Sequence, residues 1–143
     1  MKGKASWPVF WALIAVFVFI VCLMLIDPLR NLLRGSELFL TPFAVFFLLG
    51  VALLVLTLRE KAEGLLKTFF LLTAASAVGV FVFILLHNAV YGLFIYFFGE
   101  GFWDGIGGDE PFFFLLAIIV CPLGFLTGVI GSIVLRIKSA VSR

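Results

Sequence analysis

Four long apolar runs, separated by short polar connectors, occupy residues 7–26, 43–58, 66–97 and 111–135. A run of about 18 or more residues with few charges can cross the roughly 30 Å hydrocarbon core of a bilayer as a helix, at about 1.5 Å per residue. No water reaches that core to satisfy exposed N–H and C=O groups, so a helix must pair them internally. Residues 7–26 and 111–135 carry no charge, and residues 65–99 carry only Lys67 before Phe98. Counting Phe39 and Leu40, the second run becomes a span over 39–58. Hydrophobic residues make up 64% of the chain, and mean hydropathy is +1.31. A soluble domain of 143 residues has too much surface for its volume to hide that fraction. The expectation is an all-α, four-helix transmembrane bundle, a single integral membrane domain over 1–143. Its spans lie near 7–26, 39–58, 66–88 and 111–136, with the third helix extending as far as 98.

The first run follows Lys2 and Lys4, as a secretory signal would. It is longer than the usual apolar region of about 7–15 residues, and no A-x-A site follows. Ile20 and Val21 before Cys22 do not fit a lipoprotein cleavage site, so the run is read as a retained span. Placing the N-terminus in the cytoplasm puts Lys2, Lys4, Arg59, Lys61, Lys67, Arg136, Lys138 and Arg143 inside, against Arg30 and Arg34 outside. That asymmetry follows the positive-inside rule and predicts a multi-pass protein of the cell membrane with both termini cytoplasmic. Topology accounts for the basic residues. No basic stripe tracks phosphates, so no nucleic-acid partner is expected. Cys22 and Cys121 each lie within an apolar run and read as buried thiols that pack as small hydrophobes.

The connectors are informative in different ways. Trp7 and Trp11 suit the headgroup zone at the entry of the first span. Residues 28–37 alternate leucines with Arg30 and Arg34, as either a surface amphipathic turn or a plain connector. Thr41-Pro42 is a helix-start signal, Thr as cap and Pro at the first turn. Glu60, Lys61 and Glu63 read as a solvated face, with Gly64 at the corner. From Leu65 to Phe98 is about 51 Å of straight helix, too long for the core, so this segment must tilt, project or break. Gly92 is the weak point. Residues 89–98 with the glycine-rich, acidic loop 99–110 then form an aromatic cap on the extracytoplasmic side. Asp109-Glu110-Pro111 opens the last span, and Pro122 at its middle should kink it. No internal repeat of the transporter kind is present.

Within lipid, small residues let backbones approach. Ala75 and Gly79 form one such face, and Gly124, Gly128 and Ser132 another. They fit packing of the third span on the fourth, or a homo-oligomer. Chemistry-bearing side chains are few. His87 is the chain's only histidine, with Asn88 beside it, Tyr91 one turn on, and Asp104, Asp109 and Glu110 in the following loop. This polar cluster reads as hydrogen bonding that shapes the outer loop. One histidine with loop acids falls short of the three or four ligands a zinc site needs, so no metal, cofactor or catalytic residue is assigned. Ser76 lies roughly 16 Å below His87 along a helix and cannot serve as its nucleophile. No nucleophile elbow, HExxH or phosphate loop occurs. The central parts of the spans lack Asp, Glu, Lys and Arg, which weakens an ion-coupled transporter.

The segments ASAVG, LLHNAVYG, GDEPFFF and CPLGFLTGVIGSIVL, between Ala74 and Leu135, resemble a group of uncharacterised small prokaryotic membrane proteins with four spans. The resemblance implies a cell-membrane location and carries no activity. The leading expectation is a non-enzymatic interaction or accessory subunit that engages lipid and a membrane-protein partner. A transporter or channel component acting as an oligomer is the alternative, and a metal or catalytic site at His87 the third.

Overall fold

The computed structural model describes residues 5–33, 37–60 and 63–142. Lys2, Lys4, Arg34, Lys61 and Arg143 lie outside the described residues, so their part in the charge asymmetry rests on sequence. Among the described residues the fold is wholly helical, without strands. The helices are α1 (Ser6–Leu25), α2 (Asp27–Leu33), α3 (Thr41–Arg59), α4 (Gly64–Phe98) and α5 (Pro111–Val141). Short 3₁₀ turns occupy Glu37–Phe39 and Trp103–Ile106. The helices α1, α3, α4 and α5 are each long and apolar enough to cross a membrane.

Local chemistry explains most boundaries. Ile26 turns extended, α1 stops, and Pro28 fits the first turn of α2, where its missing N–H is harmless. Arg30 pairs with Asp27 and also donates to the carbonyl of Met24 at 3.3 Å, one of the unpaired acceptors at the end of α1. Thr41 is the first helical residue of α3 rather than its cap. Leu40 stands in the cap position without a side-chain hydrogen bond. Gly64 sits at φ +64°, a left-handed conformation that side chains with a Cβ adopt at a cost, and there the chain turns into α4.

Gly92 and Pro122, the places where a break or a kink was open, resolve differently. The helix α4 runs through Gly92 without interruption. The position is open, and a single helical glycine costs only about 1 kcal/mol. In α5, residues Leu116–Val120 form a π turn in which the Cys121 N–H donates to Leu116, five residues back. Pro122 has no N–H, and its ring crowds the carbonyl four residues earlier; widening the preceding turn relieves that conflict.

The helix α3 packs between α1 and α4, and α4 packs between α3 and α5. Aromatic rings fill the centre. Phe10 and Phe70 are 5.3 Å apart, Phe46 and Phe125 5.2 Å, and Phe17 and Phe125 4.6 Å. Leu13, Leu53, Ala74, Ala77 and Val129 complete the core. Lipid is as apolar as this interior, so close packing rather than water exclusion holds such helices together. The α4–α5 contact shows how close. A Cβ on Gly128 would meet the Phe69 carbonyl at 2.8 Å, one on Gly124 the Ser76 hydroxyl at 2.6 Å, and one on Gly131 the Phe69 ring at 2.5 Å. Gly79 lies under Cys121, and Ser132 is fully buried. Ala75 is exposed; Ala74, Ser76 and Ala77 take the buried positions instead. The helix α3 enters through Gly50, where a Cβ would stand 3.0 Å from that of Ala77.

One end of the bundle is clasped by polar contacts. The carboxylate of Glu60, just past α3, accepts from the Ala5 N–H at 2.7 Å, from the Ser6 N–H at 3.2 Å and from the Ser6 hydroxyl. It thereby caps α1, which has no side-chain cap of its own. The Ser6 hydroxyl above all, helped by the two N–H groups, holds the Glu60 carboxyl below its ordinary range against the opposing effect of partial burial. Glu60 is therefore a tether and not part of a merely solvated face. Beside it, the Arg136 guanidinium lies 4.3 Å over the Trp7 ring.

Candidate functional site: the polar junction at His87

At the opposite end α4 meets the start of α5. His87 stands 20 residues beyond Lys67, about 30 Å along the helix. Its Nδ1 lies 3.0 Å from the Glu110 carbonyl oxygen and 3.3 Å from a Glu110 carboxylate oxygen. Its Nε2 lies 3.5 Å from a carboxylate oxygen of Asp109. Glu110 is buried and serves a second purpose. Its carboxylate accepts from the Phe112 N–H at 2.8 Å and the Phe113 N–H at 3.0 Å, capping α5 at the positive end of the helix dipole. Asp109 accepts from the Glu110 N–H at 2.8 Å. Pro111 fits the first turn for the reason given above, so three consecutive residues, Asp109-Glu110-Pro111, both start the helix and bind it to α4.

Aromatic residues extend the junction. The Tyr91 ring lies 6.4 Å from that of His87 and is nearly parallel to the Trp103 indole at 5.7 Å. Trp103 is buried and donates its indole N–H to the Tyr91 carbonyl at 3.1 Å. Phe114 closes the other side, 5.6 Å from His87. The structure thus brings together His87, Tyr91, Asp109 and Glu110 from the polar set singled out in the sequence. It leaves two apart. Asn88 is exposed and returns its amide to the Ile84 carbonyl of its own helix at 2.8 Å, and Asp104 is exposed in the loop. Trp103 and Phe114 were missed by sequence reasoning. An indole in a short polar loop was the available signal for Trp103, since a buried indole N–H seeks an acceptor. Phe114 carried no distinguishing signal among its neighbours.

Chemically the junction is a set of satisfied hydrogen bonds. No group of three or more His, Cys, Asp and Glu side chains is placed to hold a metal ion among the described residues. The Glu110 carboxylate is engaged by the α5 backbone. Cys22 and Cys121 are free thiols. Lateral grooves lined mainly by apolar side chains cross the helix faces. One of about 520 Å³ lies between α1 and α3 at Phe19 and Val45; another of about 500 Å³ lies beside the π turn at Ser76, Gly79 and Cys121. No protein family, curated protein or solved structure matches the chain.

Proposed function

We propose that this chain is a non-enzymatic interaction or accessory subunit of the cell membrane. It crosses the bilayer four times with both termini in the cytoplasm, and carries residues 89–110 as an extracytoplasmic cap. The observation that carries the reading is the placement of charge. Among the described residues, Arg59, Glu60, Glu63, Lys67, Arg136 and Lys138 stand at one end, and Asp27, Arg30, Glu100, Asp104, Asp109 and Glu110 at the other. Between them lies about 30 Å of helix whose described interior is built of rings and aliphatic groups with the hydroxyls of Thr57, Thr73, Ser76 and Ser132, and without a buried Asp, Glu, Lys or Arg. An ion-coupled path or a catalytic centre in the membrane calls for ionisable groups at that depth. Surfaces for other chains are what such a molecule offers. The excess of cations at the Arg59–Lys67 end supports placing that end inside. Purification from its own membranes in mild detergent tests the reading. A stoichiometric protein partner is expected, and a clean monomer with none would count against it.

The groove beside the π turn favours a second reading, a transport component. Pro122 and the widened turn border it, with Ser76 and Cys121 on its wall. Flux measurements on liposomes holding the purified chain separate the two, since an accessory subunit leaves the liposomes tight.

A further inference from the structure

Cross-helix contacts set the relative heights of the helices. Trp7, near the start of α1, meets Phe70 of α4 at 5.1 Å, so the far end of α1 is level with about residue 88 of α4. Gly50 of α3 lies against Ala77 and Val78, so Thr41, where α3 begins, is level with about residue 87. Glu110, at the start of α5, meets His87 itself. All three neighbours of α4 therefore end at one level, yet α4 continues to Phe98, roughly 15 Å farther. The headgroup zone adds only about 5–8 Å beyond the hydrocarbon core on each side. Tilting α4 alone cannot draw its tip back, because the helix is packed against α3 and α5 over most of its remaining length. With that common level at the edge of the hydrocarbon core, as the four-span reading has it, the tip stands above the lipid.

This extension is a built structure. Trp103 packs back on Tyr91 and, at 5.5 Å, on Phe94; Phe102 packs on Phe94 and Phe98 at 5.1 Å each. Large apolar side chains remain outward. Tyr96 is 82% exposed, Phe97 67%, Phe98 65% and Ile106 57%. The Tyr96 and Phe97 rings lie against each other at 5.3 Å, and an apolar surface of this kind standing in water marks a place where something docks. Charge selects among occupants. Residues 89–110 contain no Lys or Arg, and Glu100 and Asp104 lie exposed at the rim. A second copy would set acidic rim against acidic rim, and the height disfavours lipid headgroups.

We infer that the protrusion 89–106 is the docking surface for a partner protein on the same side of the membrane, one whose contact surface is apolar at its centre and rimmed by Lys and Arg. The inference rests on the reading of the chain as an interaction subunit and names the surface that performs the interaction. Its test is photo-crosslinking in intact cells of the native host. A photoreactive side chain is placed at Tyr96 or Phe97, and as controls at Leu48 or Ile130, which are exposed on the membrane-facing sides of α3 and α5. Discrete protein adducts are expected at Tyr96 and Phe97 and not at the controls, and the captured peptide should pair apolar residues with nearby Lys or Arg. Adding Glu100→Gln and Asp104→Asn should lower the yield severalfold while thermal unfolding in detergent stays unchanged. Adducts with lipid alone, with a second copy of this chain, or with a protein whose capture ignores the two neutralisations would each overturn the inference. Partner adducts at Leu48 or Ile130 only would overturn it while leaving the accessory-subunit reading intact; no protein adduct at any position would remove both.

Discussion

Gly128 and Gly92 lie in helices of similar composition and predict opposite responses to the same substitution. Gly128→Ala drives a methyl group against the Phe69 carbonyl and the Thr73 backbone, neither of which can move aside cheaply. It should lower stability in detergent by about 1–3 kcal/mol, as overpacking does. Gly92→Ala meets nothing and should leave stability unchanged or raise it by up to about 1 kcal/mol. Unfolding of the two variants side by side checks this, and equal effects would contradict the packing described. Glu60 makes a third prediction. Its carboxyl is held below the ordinary value by Ser6 and the N–H groups of α1. A carboxylate with a depressed folded-state pKa adds stability that is fully present above its unfolded value, near pH 4.5, and is lost as pH falls through the lower folded value. Glu60→Gln should cost about 1 kcal/mol at neutral pH, since the site is only partly shielded from water. It should also flatten the acid side of the stability–pH curve. The Glu60 tether was not legible in the sequence. Glu60 and Ser6 are 54 positions apart, and nothing local distinguishes a tethering carboxylate from a solvated one. Gly128 could be recognised by its spacing, but Gly50 could not.

At the scale of elements, the four apolar helices were legible because span length and composition are set by the bilayer, a constraint that acts on each segment alone. What escaped were features decided between segments. Four-residue spacing pointed to Ala75, whereas the orientation of α4 buries Ala74 and Ala77. Pro122 announced a disturbance without saying that a π turn would absorb it. The length of α4 was plain, but not that a loop returns to support its last turns. That support centres on Trp103, and Trp103→Ala should release it. Protease cleavage within 99–108 of the reconstituted protein should rise sharply while α1, α3 and α5 stay protected. Equal cleavage in variant and parent would show that the loop holds its place by other means. Of the polar junction, His87 and the helix-starting Asp109-Glu110-Pro111 could be seen in the sequence. Their meeting could not, since it follows from the relative heights of α4 and α5.

Among the described residues the bundle is about one hydrocarbon thickness deep, with an excess of cations at one end, an excess of acids at the other and an aromatic extension beyond the acidic end. The contacts between its helices are close approaches of small residues and rings, and in the proposed placement its charges set which end faces the cytoplasm. The functional reading inherits its direction from that orientation, so the sidedness of the two ends is the point on which it turns. Single cysteines introduced as Ile106→Cys or Ser142→Cys, with Cys22 and Cys121 replaced by alanine, report it through a thiol reagent that cannot cross membranes. Labelling at position 106 in intact cells, and at position 142 only after the membrane is opened, is the result expected. Labelling at 142 in intact cells, or protection of 106 until the membrane is opened, would contradict the account.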